Sequence, residues 1–108
     1  MRLKDDEELI RNEVKRIAEN YKINAVYLFG SFARGEEVEG SDVDLVIHDE
    51  GSTLKGFVSF IQLEMDFEGL FQRKVDLLTL SQIRRGDTSY KIRFQENFER
   101  DKVVLYEK

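Results

Sequence analysis

The spacing of apolar positions along this chain changes several times, and each change marks an element. Leu9, Ile10, Val14, Ile17, Ala18 and Tyr21 recur at steps of three and four, which predicts an amphipathic helix over residues 5–21. Its first turn holds Asp5, Asp6, Glu7 and Glu8, and Lys15, Arg16 and Lys22 lie towards its end. Acids at the positive pole of a helix and bases towards the negative pole need no functional explanation. "NAVYLFG" is a short, continuous apolar run, read as a buried strand ending at Gly30. "SFARGEE" gives one or two helical turns that stop near Gly35, "EVEGS" a loop, and "DVDLVIH" a strand closed by the turn "HDEGS". Ser52 is placed to N-cap a long helix reaching about Phe71, with Leu54, Phe57, Val58, Ile61, Met65 and Phe67 or Leu70 on its apolar side. Gly56 and Gly69 weaken that helix slightly. "RKVDLLTL" is a third strand, and "SQIRRGDTS" a turn region with room for a short helix around residues 82–85. "TSYKIRFQENFERD" is an amphipathic helix with Tyr90, Phe94 and Phe98 at steps of four, and "KVVLYE" a last strand suited to a sheet edge. The pattern predicts a small mixed β-sheet flanked by helices, an α/β (α+β) arrangement.

Composition narrows the classes. At 108 residues the chain is long enough for one core, so residues 1–108 are expected to form a single domain. Apolar residues make up 41% and charged residues 36%, a globular composition with a highly charged surface. No apolar run approaches the roughly 20 residues of a membrane helix. The acidic start "MRLKDDEEL" lacks the apolar stretch of a signal peptide. Without cysteine there are no disulfides and no thiolate metal sites. A cytoplasmic location is the expectation. The net charge of −5 argues against a general duplex binder, because phosphate neutralisation carries most of such affinity. Charge is also unevenly placed: residues 36–50 hold seven acids and no Lys or Arg, whereas Arg84–Arg93 holds four bases and one acid.

The chemistry concentrates in "GSFARGEEVEGSDVDL", residues 30–45. Asp42 and Asp44 are two apart, so on a strand both point to one face. Like charges that close repel unless a cation bridges them. Hard divalent cations such as Mg²⁺ take oxygen ligands, commonly one or two carboxylates plus substrate phosphates. Asp76, a lone acid among Val75, Leu77 and Leu78, offers a third carboxylate from a neighbouring strand. Three such groups suit one or two ions for an in-line displacement at phosphorus. At the other end of the stretch, Gly30 lets a phosphate approach the backbone and Ser31 adds a hydroxyl, although the pair also fits a plain strand-to-helix turn capped by Ser31. The glycine spacing matches neither a P-loop nor a Rossmann turn. His48 is the only histidine and is expected at a solvent-facing strand end. Tyr27, Phe29, Phe57, Phe60, Phe94 and Phe98 read as core. Arg84, Arg85, Lys91 and Arg93 read as surface charge or a contact for a partner protein or a triphosphate.

These residues resemble the GSxxRGxxxxxSDxDL signature of the DNA polymerase β-type nucleotidyltransferase superfamily. Gly30, Ser31, Arg34, Gly35, Ser41, Asp42, Asp44 and Leu45 match every fixed position. Within it the chain resembles the minimal nucleotidyltransferases, including antitoxins paired with HEPN-domain toxins. "LFQRKVDLLTL" is similar to that family's third-carboxylate strand and "FERDKVVLYEK" to its terminal helix and strand. The resemblance implies that Gly30 and Ser31 hold the terminal phosphates of a nucleoside triphosphate. It implies that Asp42 and Asp44 bind Mg²⁺, and that Asp76 binds a second ion and helps deprotonate the attacking hydroxyl. Arg34 would either join Gly30 and Ser31 on the nucleotide or pair with an acid and brace the loop, and Ser41 would turn the chain so as to aim Asp42.

The expected activity is Mg²⁺-dependent transfer of AMP from ATP to a hydroxyl of a partner protein, with this chain as the antitoxin and a helical HEPN toxin as acceptor. One alternative is a binding module that neutralises its partner by covering it. Another is transfer to a small molecule such as an aminoglycoside. With no second domain to grip a template and an acidic balance, nucleic acid is not an expected partner, and neither is a membrane.

Overall fold

The computed structural model describes residues 7–84 and 96–108. In chain order the elements are α1 (Glu7–Asn20), β1 (Ala25–Phe29), α2 (Gly30–Arg34), β2 (Val43–His48), α3 (Gly56–Phe71), β3 (Val75–Thr79), α4 (Leu80–Arg84), a helix α5 described over residues 96–101, and β4 (Val103–Glu107). Asp5 and Asp6, the basic cluster Arg85, Lys91 and Arg93, and the ring positions Tyr90 and Phe94 lie outside the described residues.

The four strands form one mixed sheet in the order β3-β2-β1-β4. β1 pairs antiparallel with both β2 and β4, and β2 pairs parallel with β3. A parallel neighbour needs a crossover, and α3 supplies it. The expected α+β architecture is therefore present, including the edge position of the last strand.

Alternation along the strands divides the core. Val26 and Leu28 of β1, Val43, Leu45 and Ile47 of β2, and Val75 and Leu77 of β3 point to one side and pack with Ile10, Val14 and Ile17 of α1 and Leu63, Phe67 and Phe71 of α3. Ala25, Tyr27 and Val46 point to the other side, where Leu80 and Phe98 cover them. Phe98 meets the rings of Tyr27 and Phe29 edge to face, each at 5.8 Å between centroids. Thr79 and Gln82 cap α4 reciprocally: the Gln82 N–H donates to Thr79 Oγ1 at 3.1 Å and the Thr79 N–H to Gln82 Oε1 at 2.9 Å.

Four expectations are corrected. Ser52 does not cap α3; its hydroxyl accepts the Leu54 N–H two residues on, and the helix begins at Gly56 after Lys55. The core side of α3 is Leu63, Phe67 and Phe71, while Phe57, Val58, Ile61 and Met65 face solvent. The reason lies in the sequence of α3, which is apolar around most of its circumference, so its periodicity does not choose a face. Leu9 also stands outside the buried stripe of α1, at 55% exposure. His48 is half-buried rather than solvent-facing: its Nε2 is enclosed without a hydrogen bond, 3.6 Å from a Glu50 carboxylate oxygen.

Candidate active site

The site forms where β1 ends and the parallel pair β2 and β3 begins. Asp44 lies opposite Phe29, the last residue of β1, and beside Asp76 in the parallel register. Residues side by side in parallel strands point to the same face, so Asp44 and Asp76 share one, the face of Val46 and Leu78. Asp42 sits just before β2 begins. Asp42 and Asp76 are exposed and Asp44 is half-buried. Among the described residues none of the three carboxylates accepts a hydrogen bond or stands in ion-pair contact. Burial first, then the charges of Asp76 and of Asp42, push the Asp44 carboxyl above its ordinary range, and Arg34 offsets part of this.

Gly30 opens α2 with φ +75°, a left-handed conformation that suits glycine. Its bare Cα lies against Asp44: a Cβ there would stand 2.3 Å from Asp44 Oδ2. The glycine thus makes room for the carboxylate itself. Helix α2 starts after Phe29, so Ser31 is its second residue and not its cap. α2 ends on Gly35, φ +71°, whose N–H returns to the Phe32 carbonyl at 3.3 Å.

Arg34 points to neighbouring acids. Its Nε donates to Glu36 Oε1 at 2.9 Å, and its Nη1 lies 3.7 Å from Asp101 Oδ2 on α5. Ser41 closes the loop before Asp42: its N–H donates to the Val38 carbonyl at 3.0 Å and its hydroxyl accepts the Val38 N–H at 2.9 Å. Arg73 is a residue that the sequence pattern did not single out. Its Nη1 donates to the carbonyls of Ser41 (3.2 Å) and Val38 (3.4 Å), and its guanidinium lies 5.1 Å from the centre of the Phe32 ring. It joins α2, the loop before Asp42 and the start of β3. A lone Arg two residues before a strand carries no signal that separates it from ordinary surface charge.

A hollow of about 390 Å³ adjoins Asp42 and is lined by Ser41, Phe71, Gln72, Arg73 and Lys74 as well. A larger one, about 470 Å³ between α1 and α3, is lined by none of the three acids.

For a divalent ion the donor chemistry fits. The acids are hard oxygen donors, their charges raise the Asp44 carboxyl, and Gly30 leaves Asp44 Oδ2 its space. Among the described residues, however, no three His, Cys, Asp or Glu side chains stand close enough together to hold a metal by themselves.

Residues 12–108 match the family model described as "Polymerase beta, Nucleotidyltransferase". A Methanocaldococcus jannaschii protein named "Putative protein adenylyltransferase MJ1215" is 37% identical over 81 residues, covering 75% of this chain and 92% of its own. Protein adenylyltransferase MntA of Thermococcus cleftensis is 32% identical over 84 residues, covering 78% of this chain and 83% of its own. A solved structure of a "putative minimal nucleotidyltransferase" superposes with a TM-score of 0.68 at 27% identity, over 95% of both chains. A chain from a toxin-antitoxin crystal structure with AMP-PNP shares the fold, with a TM-score of 0.66 at 17% identity over 91% of this chain and 73% of that one. The chain belongs to the polymerase β-type nucleotidyltransferase family.

Proposed function

We propose that this nucleotidyltransferase moves AMP from ATP to a hydroxyl of a partner protein, and that the partner is a helical toxin of the HEPN type. The single observation that carries the reading is Asp44: a half-buried carboxylate beside Asp76 and Asp42, raised in pKa by all three circumstances and set against a glycine with no room for a side chain. The relatives named protein adenylyltransferase support the choice of reaction. A fold neighbour described as an antitoxin bound to a tri-AMPylated HEPN toxin of Shewanella oneidensis supports the choice of acceptor.

The family resemblance suggests the roles, and the placement of these residues supports them. Gly30 and Ser31 receive the terminal phosphates at the end of β1. Asp42, Asp44 and Asp76 would hold Mg²⁺, which, when bound, neutralises the phosphates and the charge that develops at phosphorus. Asp76, exposed on β3, takes the proton of the attacking hydroxyl. The new bond forms between the acceptor oxygen and the α-phosphorus, and the bond to pyrophosphate breaks. Little more is required, since phosphoryl-type transfer depends mostly on positioning and charge neutralisation. Arg34 braces α2 against Glu36 and α5, and Arg73 holds the loop that presents Asp42.

One observation favours a second reading, an antitoxin that acts by covering its partner: the three acids do not close on one another among the described residues. The same experiment separates the two. The purified chain, ATP, Mg²⁺ and partner are mixed and the intact mass of the partner is measured. Addition of an adenylyl group supports transfer, and a tight complex with unmodified partner supports covering.

A further inference from the structure

The residue that leads into β3 is Lys74. Val43 of β2 stands beside Val75 of β3, and the Val43 N–H donates to the Lys74 carbonyl at 2.9 Å, so the parallel register runs back to Asp42 and Lys74. Alternation then gives the acid-bearing face two pairs of neighbours, Asp44 beside Asp76 and Asp42 beside Lys74. Asp42 and Lys74 also line the same hollow. Lys74 is exposed, and its ammonium stands in no ion pair among the described residues. The two arginines nearby are engaged. Arg34 is held by Glu36 and Asp101, and Arg73 by the carbonyls of Ser41 and Val38. An unpaired lysine one strand away from unpaired carboxylates is available to an anion that the acids alone would repel.

We infer that Lys74 is a further catalytic residue, whose ammonium binds the α-phosphate of the nucleotide. This rests on the reading of the chain as an AMP transferase. In the strand order β3-β2-β1, Gly30 and Ser31 take the terminal phosphates at the end of β1, Asp42 and Asp44 follow on the β2 side, and Lys74 stands at the start of β3. A triphosphate that runs across the strands, which are ~4.8 Å apart, brings its α-phosphate between the acids of β2 and Lys74. Pyrophosphate leaves towards β1. The acceptor hydroxyl attacks in line from the β3 side, where Asp76 takes its proton. The non-bridging oxygens of the α-phosphate then have Lys74 beside them, on the side away from the leaving group. An ammonium is a compact point charge with three donors, which suits a single phosphate oxygen.

The test needs no acceptor. A fluorescent, non-hydrolysable ATP analogue is bound to the whole chain in Mg²⁺ and displaced with AMP or with inorganic pyrophosphate. Lys74→Met keeps an unbranched stem and removes the charge. The expected AMP affinity is lowered about tenfold, the scale of one charge-assisted hydrogen bond, while pyrophosphate affinity changes by less than about twofold. Lys74→Arg regains most of the AMP affinity, and circular dichroism is unchanged throughout. A general attraction for anions would act at least as strongly on pyrophosphate, which carries more charge. Equal AMP affinity in the native and Lys74→Met chains overturns the assignment, as does a loss shared by AMP and pyrophosphate, or a Lys74→Arg chain that regains nothing. In each of these cases the native chain still binds the analogue, and the proposed transfer stands. A native chain that binds no analogue overturns both.

Discussion

Replacing Gly30 by alanine separates the backbone role of this residue from its role at the site. The added methyl carbon would stand 2.3 Å from Asp44 Oδ2, and restoring at least 3.0 Å shifts the carboxylate by 3.0 − 2.3 = 0.7 Å or more. A displacement of ~1 Å in a catalytic group lowers turnover by roughly 100-fold, so AMP transfer by Gly30→Ala should fall on the order of 30- to 100-fold. The left-handed φ of +75° adds a separate cost, about 1–2 kcal/mol for an L side chain, or about 5–10 °C in melting temperature for a domain of this size. Gly51→Ala is the control. Its φ is +77°, yet a Cβ there meets nothing within 4 Å. Both variants should melt earlier, Gly30→Ala by more because the displaced carboxylate adds to its φ cost, and only Gly30→Ala should lose transfer, read as initial rates of adenylyl incorporation well below both melting points. Equal rates in the two variants would refute the claim that Gly30 is glycine for the sake of Asp44.

Other perturbations have equally definite signs. Asp44 has a raised carboxyl in the fold, so it destabilises the metal-free protein once pH exceeds its folded pKa, and the effect vanishes below the ordinary unfolded value; Asp44→Asn should therefore raise the melting temperature at neutral pH, but not in acid, when melts are run in EDTA. Arg73→Ala should cost about 1–2 kcal/mol in urea unfolding through two carbonyl acceptors and the Phe32 ring, and lower kcat more than it raises KM; Arg73→Lys, which lacks the planar fork, should restore little of either. The Tyr21 phenol is pushed up to about 12 by burial and then by its hydrogen bond to Asp66, so in an ultraviolet titration Asp66→Asn should lower that midpoint.

What the sequence disclosed depended on burial. β1 and β2 were legible because continuous or alternating apolar runs between turn residues have few other readings. The two-residue period also put Asp44 on a definite face, and the isolation of Asp76 among apolar neighbours made it the natural third acid. The direction of α3 was not legible: with apolar side chains on both sides, only the packed core distinguishes Phe67 from Phe57. Its start is not legible either, because Ser52 has the chemistry of a cap but spends its hydroxyl on the turn before the helix. Long-range brackets were equally hidden. Asp101 reaches Arg34 because α5 lies over the sheet, and Arg73 reaches the Ser41 carbonyl because β3 starts beside β2. Neither contact leaves a mark in local spacing.

The central claim is that Asp42, Asp44 and Asp76 act as one divalent-ion site once a nucleotide is present. Electron paramagnetic resonance of Mn²⁺, titrated into the chain with a non-hydrolysable ATP analogue, measures this directly. The account predicts bound Mn²⁺ in the native chain, little in Asp42→Asn combined with Asp44→Asn, and a clear loss in Asp76→Asn, all with unchanged circular dichroism. Equal Mn²⁺ binding by the native and substituted chains would contradict it.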